Sequence, residues 1–324
     1  METLRFIDLF CGIGGFRVAM EQACIENEII PQCVFSSDID TSCQDSYEAN
    51  FGDRPFGDIT KINENDIPYH DILFAGFPCQ PFSIIGNKRG FNDIRGTLFF
   101  DIARILKAKM PKAFILENVK QLVGHDKGQT LKVIIQTLED LGYSVRYSVL
   151  NALDYGLPQK RERVIIVGHR EPILFSYPSP IRPYKSLDEI LEKNVDPKHL
   201  ASEMIKEKRK GKHKSAYRTS IWHENKSGNI CSYPYSCALR AGASYNYLLV
   251  NGERRLTPIE MFRLQGFPDD YKIVVNDNQA RKQAGNAVPV NLVKAVILKL
   301  LPYVARKMDI SSVLRDYEVS YNSD

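Results

Sequence analysis

Apolar residues fall in short runs separated by polar turns, and two periodicities alternate along the first half of the chain. Arg5-Phe-Ile-Asp-Leu-Phe10 reads as a short buried strand. The glycine turn Cys11-Gly-Ile-Gly-Gly15 follows it, and then apolar positions at helical spacing over Phe16 to Ala23. Cys33-Val-Phe-Ser-Ser37 reads as a second strand ending at Asp38. His70-Asp-Ile-Leu-Phe-Ala75 reads as a third, stopping at Gly76-Phe-Pro-Cys79. A helix is expected over Thr97 to Lys109, halted before Pro111, and a strand over Ala113-Phe-Ile-Leu116 ending in Glu117-Asn118. Thr130 to Leu141 is helical again, and Arg163-Val-Ile-Ile-Val-Gly168 is a further strand. Strands alternating with helices imply an α/β fold, a doubly wound and mostly parallel sheet covered on both faces. Between about residues 171 and 250, Pro, Tyr and Ser break the alternation. Helical spacing returns over Thr257 to Gln265 and from Pro289 to about Lys307.

The 324 residues, 44% hydrophobic and 25% charged, are too apolar for a disordered chain, and no uninterrupted apolar stretch approaches the ~20 residues of a membrane span. The amino terminus runs almost directly into a strand and leaves no room for a signal peptide, so the seven scattered cysteines are expected as reduced thiols in a cytoplasmic protein. Six dispersed histidines give no zinc spacing, and no metal is expected. The net charge of +4 is uneven. Residues 171 to 255 hold 15 Lys/Arg against 9 Asp/Glu, with the densest run from Lys206 to Lys214. Such a run is either a solvated face or a phosphate-contacting surface, and its confinement to one segment favours a separate binding module.

In open parallel sheets, ligands sit at the carboxyl ends of the strands. Here those ends carry Gly12-Ile-Gly-Gly15, Asp38, Asp58, Pro78-Cys79 and Glu117. Asp38 stands 23 residues after Gly15, close to the ~20 at which a carboxylate accepts from a ribose. The turn departs from the dinucleotide pattern and has no phosphate-binding lysine, so it is either a structural turn or a site for a nucleoside without pyrophosphate, such as S-adenosylmethionine. Cys79 at a strand end can be a buried structural thiol or a nucleophile placed where substrate can reach it. Glu117, ending another strand, can be a capping carboxylate or can face the same pocket.

These segments together resemble the DNA (cytosine-5) methyltransferases of bacterial restriction-modification systems. Phe6-Ile-Asp-Leu-Phe-Cys-Gly-Ile-Gly-Gly-Phe16 resembles their cofactor motif, Gly76-Phe-Pro-Cys-Gln-Pro-Phe-Ser83 their Pro-Cys motif, and Glu117-Asn118-Val119 their Glu-Asn-Val. Gln159-Lys-Arg-Glu-Arg163 is similar to their Q-x-R-x-R element. Arg255-Leu-Thr-Pro-Ile-Glu-Met-Phe-Arg-Leu-Gln-Gly-Phe-Pro268 is similar to the segment bracing the recognition region, and Gln283-Ala-Gly-Asn-Ala-Val-Pro289 to their closing motif. The six stand in the family's order and span residues 6 to 290.

The resemblance implies a cytosine flipped out of duplex DNA, with Cys79 adding to C6, Glu117 bonding N3 and the exocyclic amine, Arg163 bonding O2 and Arg161 nearby in a similar or supporting role. It places Phe10, Gly12, Gly14 and Gly15 around the methionine part of S-adenosylmethionine, Asp38 on the ribose, Ile39 against the adenine and Asp58-Ile59 on its amine. Gly76, Pro78, Leu98, Asn286 and Ala287 complete that pocket. It implies DNA contacts from Gln80, Ser83, Lys88 and Arg89 in the loop after Cys79, with Ile85 filling the space left by the base. Arg218, Lys226, Arg240, Tyr245 and Asn246 are candidates in the recognition region. Two positions depart from the family pattern: Asp38 stands where glutamate is commoner, and Ala238 where many relatives carry threonine. Residues 1–175 are expected as the catalytic and cofactor-binding domain, 176–275 as the target-recognition domain and 276–324 as a return segment completing the first. A monomer is expected, with double-stranded DNA as partner and a cognate restriction endonuclease acting separately. A tRNA methyltransferase of the same superfamily is the rival; Cys237-Ala-Leu differs from the Cys-Phe-Thr of that branch.

Overall fold

The fold was analysed in a computed structural model, which describes residues 2–78, 98–171, 173–181 and 183–305. Its centre is a six-stranded sheet of order β2-β1-β3-β4-β7-β5, built from β1 (Thr3–Leu9), β2 (Ile30–Ser37), β3 (Ile72–Gly76), β4 (Ala113–Val119), β5 (Ser144–Asn151) and β7 (Glu162–His169). The first four strands run parallel, while β7 is antiparallel to both β4 and β5. The side-chain alternation of β1 sets the two layers. Leu4 and Phe6 belong to the core shared with α1 (Gly15–Glu26) and α9 (Val290–Val304). Ile7 and Leu9 belong to the core shared with α3 (Leu98–Lys109) and α4 (Gln129–Asp140).

Strand β5 does not appear in the periodicity reading. It is an edge strand whose residues are mostly half or fully exposed, so burial imposes little alternation on Ser144-Val-Arg-Tyr-Ser-Val-Leu-Asn151. Helices α2 (Thr41–Phe51) and α8 (Asp277–Asn286) are also absent from it, because their inward faces are built of small and polar residues rather than large apolar ones. Gln44, Ser46 and Tyr47 are buried in the first, and Gln283 beside Ala280 and Ala284 in the second. The two buried polar faces satisfy one another: the Gln283 side-chain amide donates to the Ser42 carbonyl at 2.9 Å and exchanges hydrogen bonds with Ser46.

The irregular part carries a small antiparallel sheet of order β11-β8-β9, from β8 (Ile221–Glu224), β9 (Ile230–Tyr233) and β11 (Leu248–Val250). A two-residue parallel pairing of β6 (Gln159–Lys160) with β10 (Ser236–Cys237) stitches it to the chain that leads into β7 of the large sheet. Helices α5 (Leu187–Ile190) and α6 (Glu203–Lys210) flank it, and α7 (Pro258–Gln265) returns the chain. Thr257 and Glu260 form a capping box at the start of α7, and Glu260, wholly buried, is held by Arg254 at 2.7 Å. The stretch Asp277–Val304 is long and apolar enough by composition to cross a membrane, but 61% of its most apolar window is buried within the molecule, where α9 lies on α1.

Candidate active site

At the carboxyl end of the parallel strands the backbone turns sharply. Phe10 closes β1 at φ 55°, an uncommon left-handed geometry for a side-chain-bearing residue, of the kind that clusters at functional sites. Gly14 has φ 77° and caps α1; a Cβ there would come within 2.8 Å of the Phe51 ring and 3.1 Å of the Tyr47 ring. These turns frame a cleft of about 470 Å³. Phe10, Gly12, Gly15, Asp38, Ile39, Asp58, Ile59, Gly76, Pro78, Leu98, Asn286 and Ala287 all line it, with Glu117, Arg161 and Arg163. Gly14 does not line it: its place is against Tyr47 and Phe51, behind the turn.

Asp38 organises one wall. Its carboxylate accepts from the Gly12 amide and the Asp40 amide, both at 2.8 Å, which joins the glycine turn to the end of β2. Burial raises the Asp38 carboxyl above the usual range, and those two amide bonds oppose the rise. Asp58 accepts from the Thr60 hydroxyl and amide, which hold it below the usual range and thus ionised. Ile39 leaves 73% of its surface exposed at the cleft. Two carboxylates, an open glycine backbone and apolar surfaces from Ile39 and Phe10 suit a nucleoside carrying a cationic arm: hydroxyls and an amine to donate, a flat ring to cover.

Across the cleft, Glu117 at the end of β4 and Arg163 at the start of β7 form an ion pair, Nε to Oε1 at 2.7 Å, with side chains only 10% and 13% exposed. Antiparallel pairing places them on adjacent strands, Glu117 opposite Ile165 and Arg163 opposite Val119. Asn118, one of the motif residues given no role by sequence, donates to the Phe77 carbonyl at 2.9 Å and so fixes the chain leading to Pro78. Cys79 follows Pro78 in the sequence; it and Gln80, Ser83, Ile85, Lys88 and Arg89 lie outside the described residues.

Arg161 occupies a different position from Arg163. It is 1% exposed, and its guanidinium donates to the carbonyls of Leu239, Gly285 and Ala287 at 2.9, 3.0 and 2.7 Å. Burial pushes its pKa down to about 9, and three carbonyl acceptors favour the charged form. Its contacts make it a brace joining the irregular region, the return segment and β7. Gln159, also in the motif, does parallel work: it accepts from the Leu239 amide at 3.0 Å and donates to the Leu264 carbonyl at 2.8 Å. Both arginines line the cleft, but Arg161 lies between β6 and β7 with its guanidinium taken up by carbonyls, whereas Arg163 on β7 pairs with Glu117.

The basic run is less open than a phosphate-contacting surface requires. Lys206 pairs with Glu203 at 2.8 Å and Glu253 at 3.8 Å, Lys210 pairs with Glu253, and the buried Arg209 pairs with Glu224 at 2.9 Å. Arg218, Lys226 and Arg240 are exposed and have no ion-pair partner among the described residues. Tyr245 lies between the guanidinium groups of Arg255 and Arg281, at 4.6 and 4.7 Å from its ring centre. The Asn246 carbonyl accepts from Arg209, so its backbone is part of the scaffold.

Solved structures follow the same chain path. The S. pombe Dnmt2 methyltransferase matches with a TM-score of 0.72 and 21% identity, covering 93% of this chain and 99% of its own. The Entamoeba histolytica methyltransferase EhMeth matches at 0.71 and 18%, covering 94% and 100%. At such identities the likeness concerns the fold, that of an α/β methyltransferase. The sequence itself is closer to other proteins: it is 56% identical to the Type II methyltransferase M.NgoBI of Neisseria gonorrhoeae, over 90% of this chain and 91% of that one. To M.HaeII of Haemophilus aegyptius it is 54% identical, over 91% and 92%. The C-5 cytosine-specific DNA methylase model matches residues 4–301, and the chain belongs to this family of cytosine-5 DNA methyltransferases.

Proposed function

We propose that the protein transfers a methyl group from S-adenosylmethionine to C5 of a cytosine flipped out of a short specific duplex sequence, through a transient bond between Cys79 and C6. The observation that carries this reading is the buried Glu117–Arg163 pair facing the Asp38 wall of one cleft. Cytosine C5 is a poor nucleophile while the ring is aromatic. Addition of the Cys79 thiolate to C6 forms the S–C6 bond and moves the electron pair toward C5, giving it enamine character. Glu117 bonds N3 and the exocyclic amine and draws electrons from C6; Arg163 bonds O2 and balances the charge gathering there. When bound, S-adenosylmethionine would supply the electrophilic methyl that C5 takes up, the S–CH3 bonding pair staying on sulfur to leave S-adenosylhomocysteine. Asp38 holds its ribose, Asp58 its adenine amine, and Ile39 covers the ring. Loss of the C5 proton then lets the C6–S bond break, returning the thiolate. These atoms lie inside the stack in a duplex, so the base must swing out to reach the cleft.

The relatives' role as Type II methyltransferases supports a place in a restriction-modification system, with an endonuclease acting separately, in the bacterial cytoplasm. The segment 176–275, bearing the exposed Arg218, Lys226 and Arg240, is the part we assign to sequence recognition. DNA carrying 5-fluorocytosine at the target tests the chemistry, because fluorine cannot leave as a proton does. With cofactor present, the complex should stall as a denaturation-resistant adduct whose mass maps to Cys79. An adduct on another residue, or none with DNA that is otherwise methylated, contradicts the covalent route.

A further inference from the structure

Three arginines line a small hollow beside the recognition sheet, and only one has its guanidinium unclaimed among the described residues. Arg255 donates to the carbonyls of Lys198, His199 and Leu200, and Arg281 donates to the Ala243 carbonyl. Arg240 has no hydrogen-bond acceptor for its side chain among the described residues; it is held by stacking, 4.8 Å from the centre of the buried Tyr247 ring. Tyr247 is tied in turn to the backbone at this point, its hydroxyl accepting from the Arg240 amide at 2.9 Å.

That backbone is fixed to the cleft on both sides. The preceding residue, Leu239, has its amide bound by Gln159 and its carbonyl by Arg161. The following residue, Ala241, lies directly on Gly285, a cleft-lining residue: a Cβ on Gly285 would come within 2.8 Å of the Arg240 carbonyl carbon and closer still to the Ala241 nitrogen. The guanidinium therefore rests near the Tyr247 ring, has no acceptor among the described residues and is anchored one residue from groups that bound the base-binding cleft. A surface lysine suffices for a phosphate, whereas the rigid fork of a guanidinium, here resting on an aromatic ring, suits a paired acceptor. Guanine presents such a pair, O6 and N7, in the major groove.

We infer that Arg240 reads a guanine neighbouring the target cytosine, donating to both O6 and N7. The inference rests on the proposed methylation of duplex DNA and adds which residue sets part of its sequence. The test is bisulfite sequencing of a randomised duplex library methylated by the wild-type enzyme, by Arg240→Ala and by Arg240→Lys, at two salt concentrations. Both variants should lose selectivity at one and the same guanine position by about 10- to 100-fold, leaving the other positions intact. Lysine, a point donor, should not restore it, and this variant also carries the test if the alanine form folds poorly. Uniform weakening across sequences with a reduced salt slope and rescue by lysine would identify a phosphate contact and overturn the inference. Unchanged selectivity would overturn it as well. A wild-type enzyme that labels no DNA would remove the underlying reading, and the inference with it.

Discussion

Replacing Arg161 by lysine keeps the positive charge but removes the fork that spans three backbone carbonyls. In the native chain those carbonyls, of Leu239, Gly285 and Ala287, belong to segments that nothing in the sequence makes neighbours, and one guanidinium at 2.7 to 3.0 Å joins them. A lysine amine reaches one of the three. Each lost bond to a charged donor costs about 1.5–3 kcal/mol, and water at the cleft returns part of it, so a net loss of about 3 kcal/mol is reasonable. With an unfolding entropy of about 2.1 cal/mol/K per residue, a chain of this length should then melt about 4 °C lower. Calorimetry supplies that number, and turnover measured well below the lowered midpoint supplies the second readout. Activity there should stay within about tenfold of wild type, a difference near 1.4 kcal/mol, because the Glu117–Arg163 pair proposed to hold the base is untouched. An Arg161→Lys protein that melts within about 1 °C of wild type yet loses more than about a thousandfold in turnover would show that Arg161 acts on the reacting base rather than as a brace.

Four further outcomes follow from individual contacts. Glu117→Gln should lower turnover by roughly 10²–10⁴ while leaving DNA affinity near wild type, since it removes the carboxylate proposed to bond the cytosine ring and little of the binding surface; steady-state kinetics with equilibrium binding separates the two. Gly285→Ala should destabilise the chain by about 1–3 kcal/mol by pushing Ala241 off the return segment, seen as a drop in denaturation midpoint; a neutral variant would mean the loop can yield. Lys206→Gln and Lys210→Gln should leave the salt slope of DNA binding nearly unchanged because Glu203 and Glu253 already claim those amines, whereas Lys226→Gln should lower it by about one. Burial raises the Asp8 carboxyl well above the usual carboxylate range, with Arg17 opposing and Asp38 adding to the rise. The folded chain thus keeps a proton that the unfolded chain releases, and stability falls as pH climbs through that interval. Asp8→Asn, which cannot ionise, should gain on the wild type in melting temperature from pH 5 to pH 8; a constant difference would refute the buried acid.

The legible and hidden parts of the fold separate by what holds each element. Strands β1, β3 and β4 are buried on both faces, so their apolar runs mark them directly, as the amphipathic faces of α3 and α4 mark those helices. Helices α2 and α8 escape notice because Gln283, Ser42 and Ser46 fill one another's hydrogen bonds across about 240 residues of sequence, and a buried glutamine carries no apolar signature. Strand ends point to Gly12, Gly15, Asp38, Asp58, Pro78 and Glu117, and the family resemblance adds the rest; all but Gly14 of the cofactor set line the cleft. What could not be read is how the arginines divide. Arg161 and Arg163 are interchangeable in a linear pattern, and only the positions of Gly285 and Leu239 in space turn one into a brace. The ion pairs that claim Lys206 and Lys210 depend likewise on Glu253, some forty residues away, which charge counting along the chain treats as unrelated.

The central claim is methyl transfer to cytosine C5 in DNA at this cleft. Purified protein should be incubated with methyl-labelled S-adenosylmethionine and either unmethylated genomic DNA or total tRNA, beside a Cys79→Ala control, and the DNA then sequenced after bisulfite treatment. The account requires label in the DNA alone, converging on one short motif, with none from the control. Label confined to tRNA, or equal methylation by Cys79→Ala, would contradict it.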